Sequence, residues 1–324
     1  MARGDVIAYG FATGRVMVLR SRLLGHAAFE RLIDAPTFAD QLRVLSDTHF
    51  GKFVEHAQTA PDVEQAIDAS MLDLIDDFLR KAGLPAPVVE TFTAPYDFAS
   101  LKSVLRAWVL GVEPGFPDIR LGVLEPEDFE HADQIPGAIG AAARAVLDAD
   151  PPMNAEQVDA AVDAAMFAEL ARLARASKIG LLERLATRQT DAANAKVLLR
   201  CAEAQRTPEE ARALLVPGGA WNAVAAADLV TDPHALAEAI VVARVLGHAS
   251  AEEMLDLERL DVLVDATTAS LSREASQGAI GPLPVLGYVL QRRAEAITVR
   301  SLLVGRLAGL PRDVIVSRLR EVAK

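Results

Sequence analysis

The chain has 324 residues, a formal net charge of −12 and a single cysteine, Cys201. That length suits two or three domains, and an apolar fraction of 51% can fill their cores. The acidic balance disfavours nucleic-acid and anionic lipid surfaces as partners, and one cysteine excludes an internal disulfide.

Aromatic residues make up only 5%, while alanine and leucine abound, a balance that favours helix over sheet. Mean hydropathy is +0.21. Even so, the chain lacks a run of about 18 apolar residues, the length a membrane-crossing helix needs. The richest stretch, Ala235–Leu246, is interrupted by Glu238 and Arg244. The opening MARGDVIAYG has an early acid and no long apolar run, which argues against a signal peptide. The expectation is a soluble, cytoplasmic chain that a protein partner would have to hold at any membrane.

Helical periodicity runs through nearly the whole sequence. Val6–Asp34 carries an apolar face through Val16, Leu19, Leu23, Phe29 and Leu32. Pro36 ends that run and opens Thr37–Leu45, where Thr37 and Asp40 resemble a capping box. Pro61–Lys81 is amphipathic and stops at Gly83-Leu84-Pro85, and Asp97–Leu110 is the next helix. Gly111–Pro136 is rich in Pro, Gly and acids and reads as a connector with a short helix near Glu127–Ala132. Helices are expected at Gly137–Ala149, Asn154–Ser177, Leu181–Thr187, Asp191–Ala204 and Pro208–Val216. After a break at Pro217-Gly218-Gly219 come Trp221–Leu229, Pro233–Gly247, Ala251–Ser270, Pro284–Ala308 and Pro311–Val322. Ile119–Leu124 could form a short extended piece, and no strand is expected beyond it.

Self-comparison exposes a repeat. YDFASLKSVLR from Tyr96, TDAANAKVLLR from Thr190 and AEAITVRSLLV from Ala294 share one pattern. The acids are Asp97, Asp191 and Glu295; three residues on come Ser100, Asn194 and Thr298; five residues on come Lys102, Lys196 and Arg300. A fainter copy, YGFATGRVMVLR from Tyr9, has Thr13 and Arg15 but no acid. Short helices opened by Pro36, Pro208 and Pro311 echo one another too. The copies lie 94 and 104 residues apart, too long for a solenoid unit, so they suggest about three similar helical domains. Expected divisions fall at 1–115, 116–218 and 219–324, with the N-terminal helix free to pack with the third domain. Acid and small polar residue share a helix face, and the base lies on an adjoining one. The plain reading is an acid capping a helix N-terminus and a solvated base. Recurrence supports a second reading, in which these nine residues border a cavity or interface.

Catalytic and metal-binding patterns are not evident. There is no P-loop, and Gly137–Gly140 follows a proline rather than a strand. The six histidines form no zinc-ligand spacing, and none accompanies a Ser or Cys nucleophile elbow. Cys201 lies in an apolar helical stretch and reads as a small core residue; Trp108 and Trp221 read as core or domain-interface anchors. A helical enzyme could be argued only from the acids and His131 within Glu125–Asp133, which a solvated linker explains better. No catalytic residue, cofactor or metal is assigned.

The C-terminal helix pair meeting at Gly309–Pro311 has Arg292, Arg293, Glu295 and Arg300 along its first helix. Together with Tyr96–Lys102, the opening Tyr9, Ala12 and Arg15, and Phe38–Gly51, it resembles the C subunit of A/V-type ATPases and ATP synthases, the counterpart of the d subunit of the vacuolar ATPase. The resemblance spans nearly the whole chain and is thinnest over Gly111–Asp150. It implies an all-α fold of three similar helical domains about a pseudo-threefold axis, shaped as a funnel. It also implies a non-catalytic central-stalk socket between the rotor shaft subunits and the membrane ring of ion-carrying subunits. One copy per complex, held at the cytoplasmic face by protein partners, follows from the same likeness. The family often has Asn where this chain has Phe11, Ser100 and Thr298, and the hydroxyls replace an amide's hydrogen bonding only in part. A generic helical scaffold unrelated to ATPases is the alternative.

Overall fold

The computed structural model describes residues 3–317 apart from 258, 277 and 279, with side chains from residue 9 to 316 except 265 and 266. Helix accounts for 73% of the described residues and no strand occurs among them, so the fold is all-α. In chain order the first helices are α1 (Arg3–Leu19), α2 (His26–Asp34), α3 (Phe38–Leu45), α4 (Gly51–Val54), α5 (Ala60–Asp73) and α6 (Ala86–Leu110). Then follow α7 (Ala138–Leu147), α8 (Ala155–Ser177), α9 (Gly180–Glu203), α10 (Pro208–Ala213) and α11 (Ala223–Ala226). The last are α12 (Pro233–Val242), α13 (Ala251–Leu255), α14 (Leu260–Ser276), α15 (Pro282–Leu307) and α16 (Arg312–Ser317). The remainder of the helix expected at Pro311–Val322 lies outside the described residues.

Helix boundaries follow caps where the sequence supplies them. Thr59, Asn154, Thr207 and Ser250 each accept an N–H from the residue three places on, and each bond is returned as a capping box. At Thr37 the hydroxyl donates to the Asp40 carboxylate at 2.6 Å and accepts the Asp40 N–H at 3.1 Å. Elsewhere tertiary contacts override the local pattern. Val6–Asp34 is not continuous, because a 3₁₀ turn at Arg20–Arg22 and extended Leu23 separate α1 from α2. Ala251–Ser270 divides in two, since Asp256 is extended after α13. Two expected breaks are absent. Helix α6 begins at Ala86 and runs through Pro95, and α9 joins Leu181–Thr187 to Asp191–Ala204 without interruption. The end of α5 passes into a π-helical stretch, Leu74–Arg80.

The chain divides into two compact units, one from Met1–Pro85 with Thr268–Lys324, the other from Ala86–Thr267. In the first, α15 is the central helix and packs against α1, α3, α5 and α16. Every residue from Pro284 to Leu290 is buried, as an all-round apolar helix requires. Phe29, Leu32, Leu45, Phe50, Ile67, Ile75 and Leu79 fill the space beside it. Helix α1 buries Ala12 and Val16 and is pinned by polar contacts. Thr13 donates to the Gly281 carbonyl at 3.3 Å, Arg20 to that of Ser276 at 2.8 Å, and Arg15 to the Asp77 carbonyl and carboxylate at 2.7 and 2.8 Å.

In the second unit α6 packs on α8, and α8 also meets α7 and α9. One core gathers Phe98, Leu101, Leu105, Phe129, Val158 and Val162; the other gathers Leu198, Leu199, Leu236, Ile240, Met254 and Leu260. Cys201 is buried in the second core. The Pro- and Gly-rich stretch 111–136 is no solvated linker: Leu121, Phe129, Ala132 and Ile135 are buried within this unit. Trp221 packs on the second core, whereas Trp108 is exposed, contrary to its expected anchoring role.

Candidate functional site

The three acids stand about three turns inside their helices, not at the N-termini, so they do not cap helices. Each reaches across to main chain elsewhere. Asp97 accepts the N–H of Val123 at 2.8 Å and of Leu124 at 3.0 Å. Asp191 accepts those of Ala220 at 2.9 Å and Trp221 at 3.0 Å. Glu295 accepts that of Leu24 at 3.0 Å. All three acids are buried. For Asp191, burial lifts the carboxyl above its ordinary range, and the N–H groups of Trp221 and Ala220 only partly offset that.

The first two clasps share a further element, a glycine placed just before the donors. A Cβ on Gly122 would overlap the Asp97 carboxylate, and one on Gly219 would overlap that of Asp191. Gly219 also has a φ of +83°, which a larger residue adopts only with strain. Thus the irregular 111–125 segment and the Pro217–Gly219 break have one physical purpose. Each presents two consecutive N–H groups to a helix carboxylate at a distance only glycine permits.

The small polar residues differ. Asn194 is buried and both donates to the Val216 carbonyl at 3.0 Å and accepts its N–H at 2.9 Å. With Asp191 one turn away, it grips the main chain on both sides of Pro217–Gly219. Thr298 is buried but turns back to the Ala294 carbonyl at 2.9 Å, and Ser100 is half-buried. The Thr298 hydroxyl spends its donor on its own helix, whereas the Asn194 amide both donates to and accepts from a distant residue.

The bases pair with acids on a neighbouring helix of the same unit. Lys102 pairs with Asp163 on α8 and Lys196 with Asp261 on α14. Arg300 meets Glu64 and Asp68 on α5 at 2.8 and 2.7 Å. These acid partners had no local signal in the sequence, because each comes from a distant helix. Burial raises the Asp68 carboxyl, with Arg300 acting against it.

Of the nine residues, Lys102 also borders an open groove of about 570 Å³, with Phe98, Arg106, Leu110, Asp163 and Met166. Exposed Trp108, Leu110 and Val112 lie along the same end of α6 and the segment after it. In the first unit, α1 exposes Phe11, Met17 and Val18. Among the described residues no group of acids, histidines and cysteine is arranged to hold a metal. At Glu125–Asp133 the acids serve local structure: Asp128 accepts the Glu125 N–H and Glu125 pairs with Arg120.

What these residues define is a helical structural protein whose charged and polar groups fasten its own segments together. Residues 12–318 match the ATP synthase (C/AC39) subunit family, and the chain belongs to that family. The C subunit of a V-type ATP synthase from Thermus thermophilus is 27% identical, over 94% of this chain and 96% of the relative. The corresponding C subunit from Deinococcus radiodurans is 23% identical, over 95% and 90%. The protein is a structural subunit rather than a catalytic one. No helix among the described residues is long and apolar enough to cross a membrane.

Proposed function

We propose that this chain is the central-stalk socket of a rotary A/V-type ATPase or ATP synthase. In this reading it joins the end of the rotor shaft to the membrane ring of ion-carrying subunits, one copy per complex, at the cytoplasmic face. The family match over nearly the whole chain carries the reading. The recurring unit of a mid-helix acid, a clasped segment and a base paired across helices supports a build of three similar domains, near 1–115, 116–218 and 219–324. A part that transmits torque needs stiffness, which close-packed helices and carboxylate-clasped loops supply. It also needs surfaces to grip. The groove beside Lys102 and the exposed residues of α1 are offered as those surfaces, since exposed apolar side chains on packed helices mark sites of association.

The test is the rotary complex assembled with and without this chain. Without it, ATP hydrolysis by the catalytic head should continue while ion transport stops. Transport that stays coupled to hydrolysis would refute the socket role. Lys102→Glu should weaken shaft binding in a salt-dependent way and leave the fold intact. Unchanged binding at low and high salt would remove this groove from the interface.

A further inference from the structure

Glu295 differs from the other two acids in having a histidine beside it. Its Oε1 takes the Leu24 N–H, while its Oε2 faces Nε2 of His49 at 3.5 Å. Both of those facing atoms are buried, and neither has another hydrogen-bond partner. The other ring nitrogen, Nδ1, lies 3.1 Å from the Arg22 carbonyl. A carbonyl can only accept, so Nδ1 carries the hydrogen and Nε2 of the neutral ring presents a lone pair. An ionised Glu295 would oppose that lone pair with another. A protonated one completes the contact.

The surrounding groups do not supply the missing proton. Arg292 of α15 is buried, donates to Ser70 of α5 at 3.0 Å and to the Tyr288 hydroxyl at 3.3 Å, and lies over the Phe50 ring at 5.7 Å. Its charge acts on Glu295, His49 and Tyr288, and the Asp73 carboxylate of α5 acts on Tyr288. The geometry points to a protonated Glu295 that donates its O–H to His49 Nε2. This proton-dependent fastener would hold the 22–24 connector and the 49–50 turn onto α15. Burial acts in the same sense. It raises the Glu295 carboxyl to about 8 against the pull of Arg292, and with the Arg292 charge it lowers the His49 ring to about 3. The first unit thus has a catch that alkaline pH releases.

The full-length chain with ¹⁵N-labelled histidine tests this. Imidazole nitrogen shifts should show His49 as the neutral Nδ1–H tautomer from pH 5 to 7. Deuterium exchange in segments 20–25 and 46–54 is measured in parallel, corrected for the intrinsic base-catalysed rate. Opening should rise about tenfold per pH unit between about 6.5, where an exposed His49 has lost its proton, and the Glu295 value of about 8, and level off above it. In Glu295→Gln, whose amide can donate to Nε2 and accept from Leu24, the corrected exchange should not vary across that window. An imidazolium at pH 6 or an Nε2–H tautomer would overturn the proposal. So would wild-type exchange that is flat with pH, or a rise of equal size in Glu295→Gln. The wild-type nitrogen shifts decide the question even if the variant folds poorly.

Discussion

Substituting Gly122 with alanine should destabilise the second unit through a single contact. The added Cβ overlaps the Asp97 carboxylate and sits 3.2 Å from the Asp97 nitrogen. Gly122 has no positive φ, so backbone strain does not confuse the measurement. The displaced carboxylate loses the Val123 and Leu124 N–H groups, now at 2.8 and 3.0 Å. Hydrogen bonds to a charged acceptor contribute about 1.5–3 kcal/mol each. These two are only part-buried, so a combined loss of about 2–4 kcal/mol is expected. For a unit of this size that lowers the melting temperature by roughly 5–10 °C. Asp97→Ala should cost a similar amount. In the Asp97→Ala background the carboxylate is gone and only the 3.2 Å contact with the main-chain nitrogen remains, so Gly122→Ala should then cost less than about 1 kcal/mol. The assay is urea denaturation of all four members of the cycle, expecting a coupling of about 2–3 kcal/mol. Equal costs of Gly122→Ala in both backgrounds, or no cost in the wild type, would refute the clasp.

Asn194→Ala leaves the buried Val216 N–H and carbonyl without partners and should cost about 2–4 kcal/mol by denaturation, whereas Ser100→Ala should cost less than about 1 kcal/mol. Lys102→Ala or Lys196→Ala removes one member of a partly exposed ion pair and should change stability by about 0–1 kcal/mol, an effect that shrinks further in high salt. The Glu295 carboxyl has a folded value raised from 4.5 to about 8, so the stability it contributes is complete below pH 4.5 and is lost as pH rises toward 8. Denaturation midpoints of Glu295→Gln should therefore gain on the wild type across that window; a difference constant with pH would contradict it.

The helical class, most helix positions and the recurrence of acid, polar residue and base were legible because they depend on local spacing. What the acids do was not. A carboxylate at a helix start and one in mid-helix look alike in sequence when a proline such as Pro95 stands two residues before Asp97, and α6 runs through that proline all the same. The glycines of 111–125 and 217–219 announce turns, but nothing local says that Gly122 and Gly219 leave room for a distant carboxylate. The break between α1 and α2 belongs with these. Its Leu24 N–H goes to Glu295 instead of to a helical carbonyl, and the periodicity through Leu23 and Phe29 cannot register that partner. Asp163, Asp261 and Asp68 were equally hidden, since each is paired to its base by helix packing alone. Asn194 was the polar residue most open to reading, because an amide three residues from an acid can serve a peptide on both its sides.

The Glu295 clasp joins residues 271 apart, whereas the Asp97 clasp spans 26. That difference sets an order of events during synthesis. Ala86–Thr267 is one continuous stretch and can complete its core as it leaves the ribosome. The first 85 residues cannot, because their central helix, α15, emerges only after the whole of that stretch. Until then the sides of α1, α3 and α5 that pack on α15 stay uncovered. Closing the longer loop also costs about 2 kcal/mol more in chain entropy than closing the shorter one, if the intervening chain is unstructured. A polypeptide cut short before Pro282 would keep those faces bare, which makes the arrival of α15 a checkpoint for the newly made first unit.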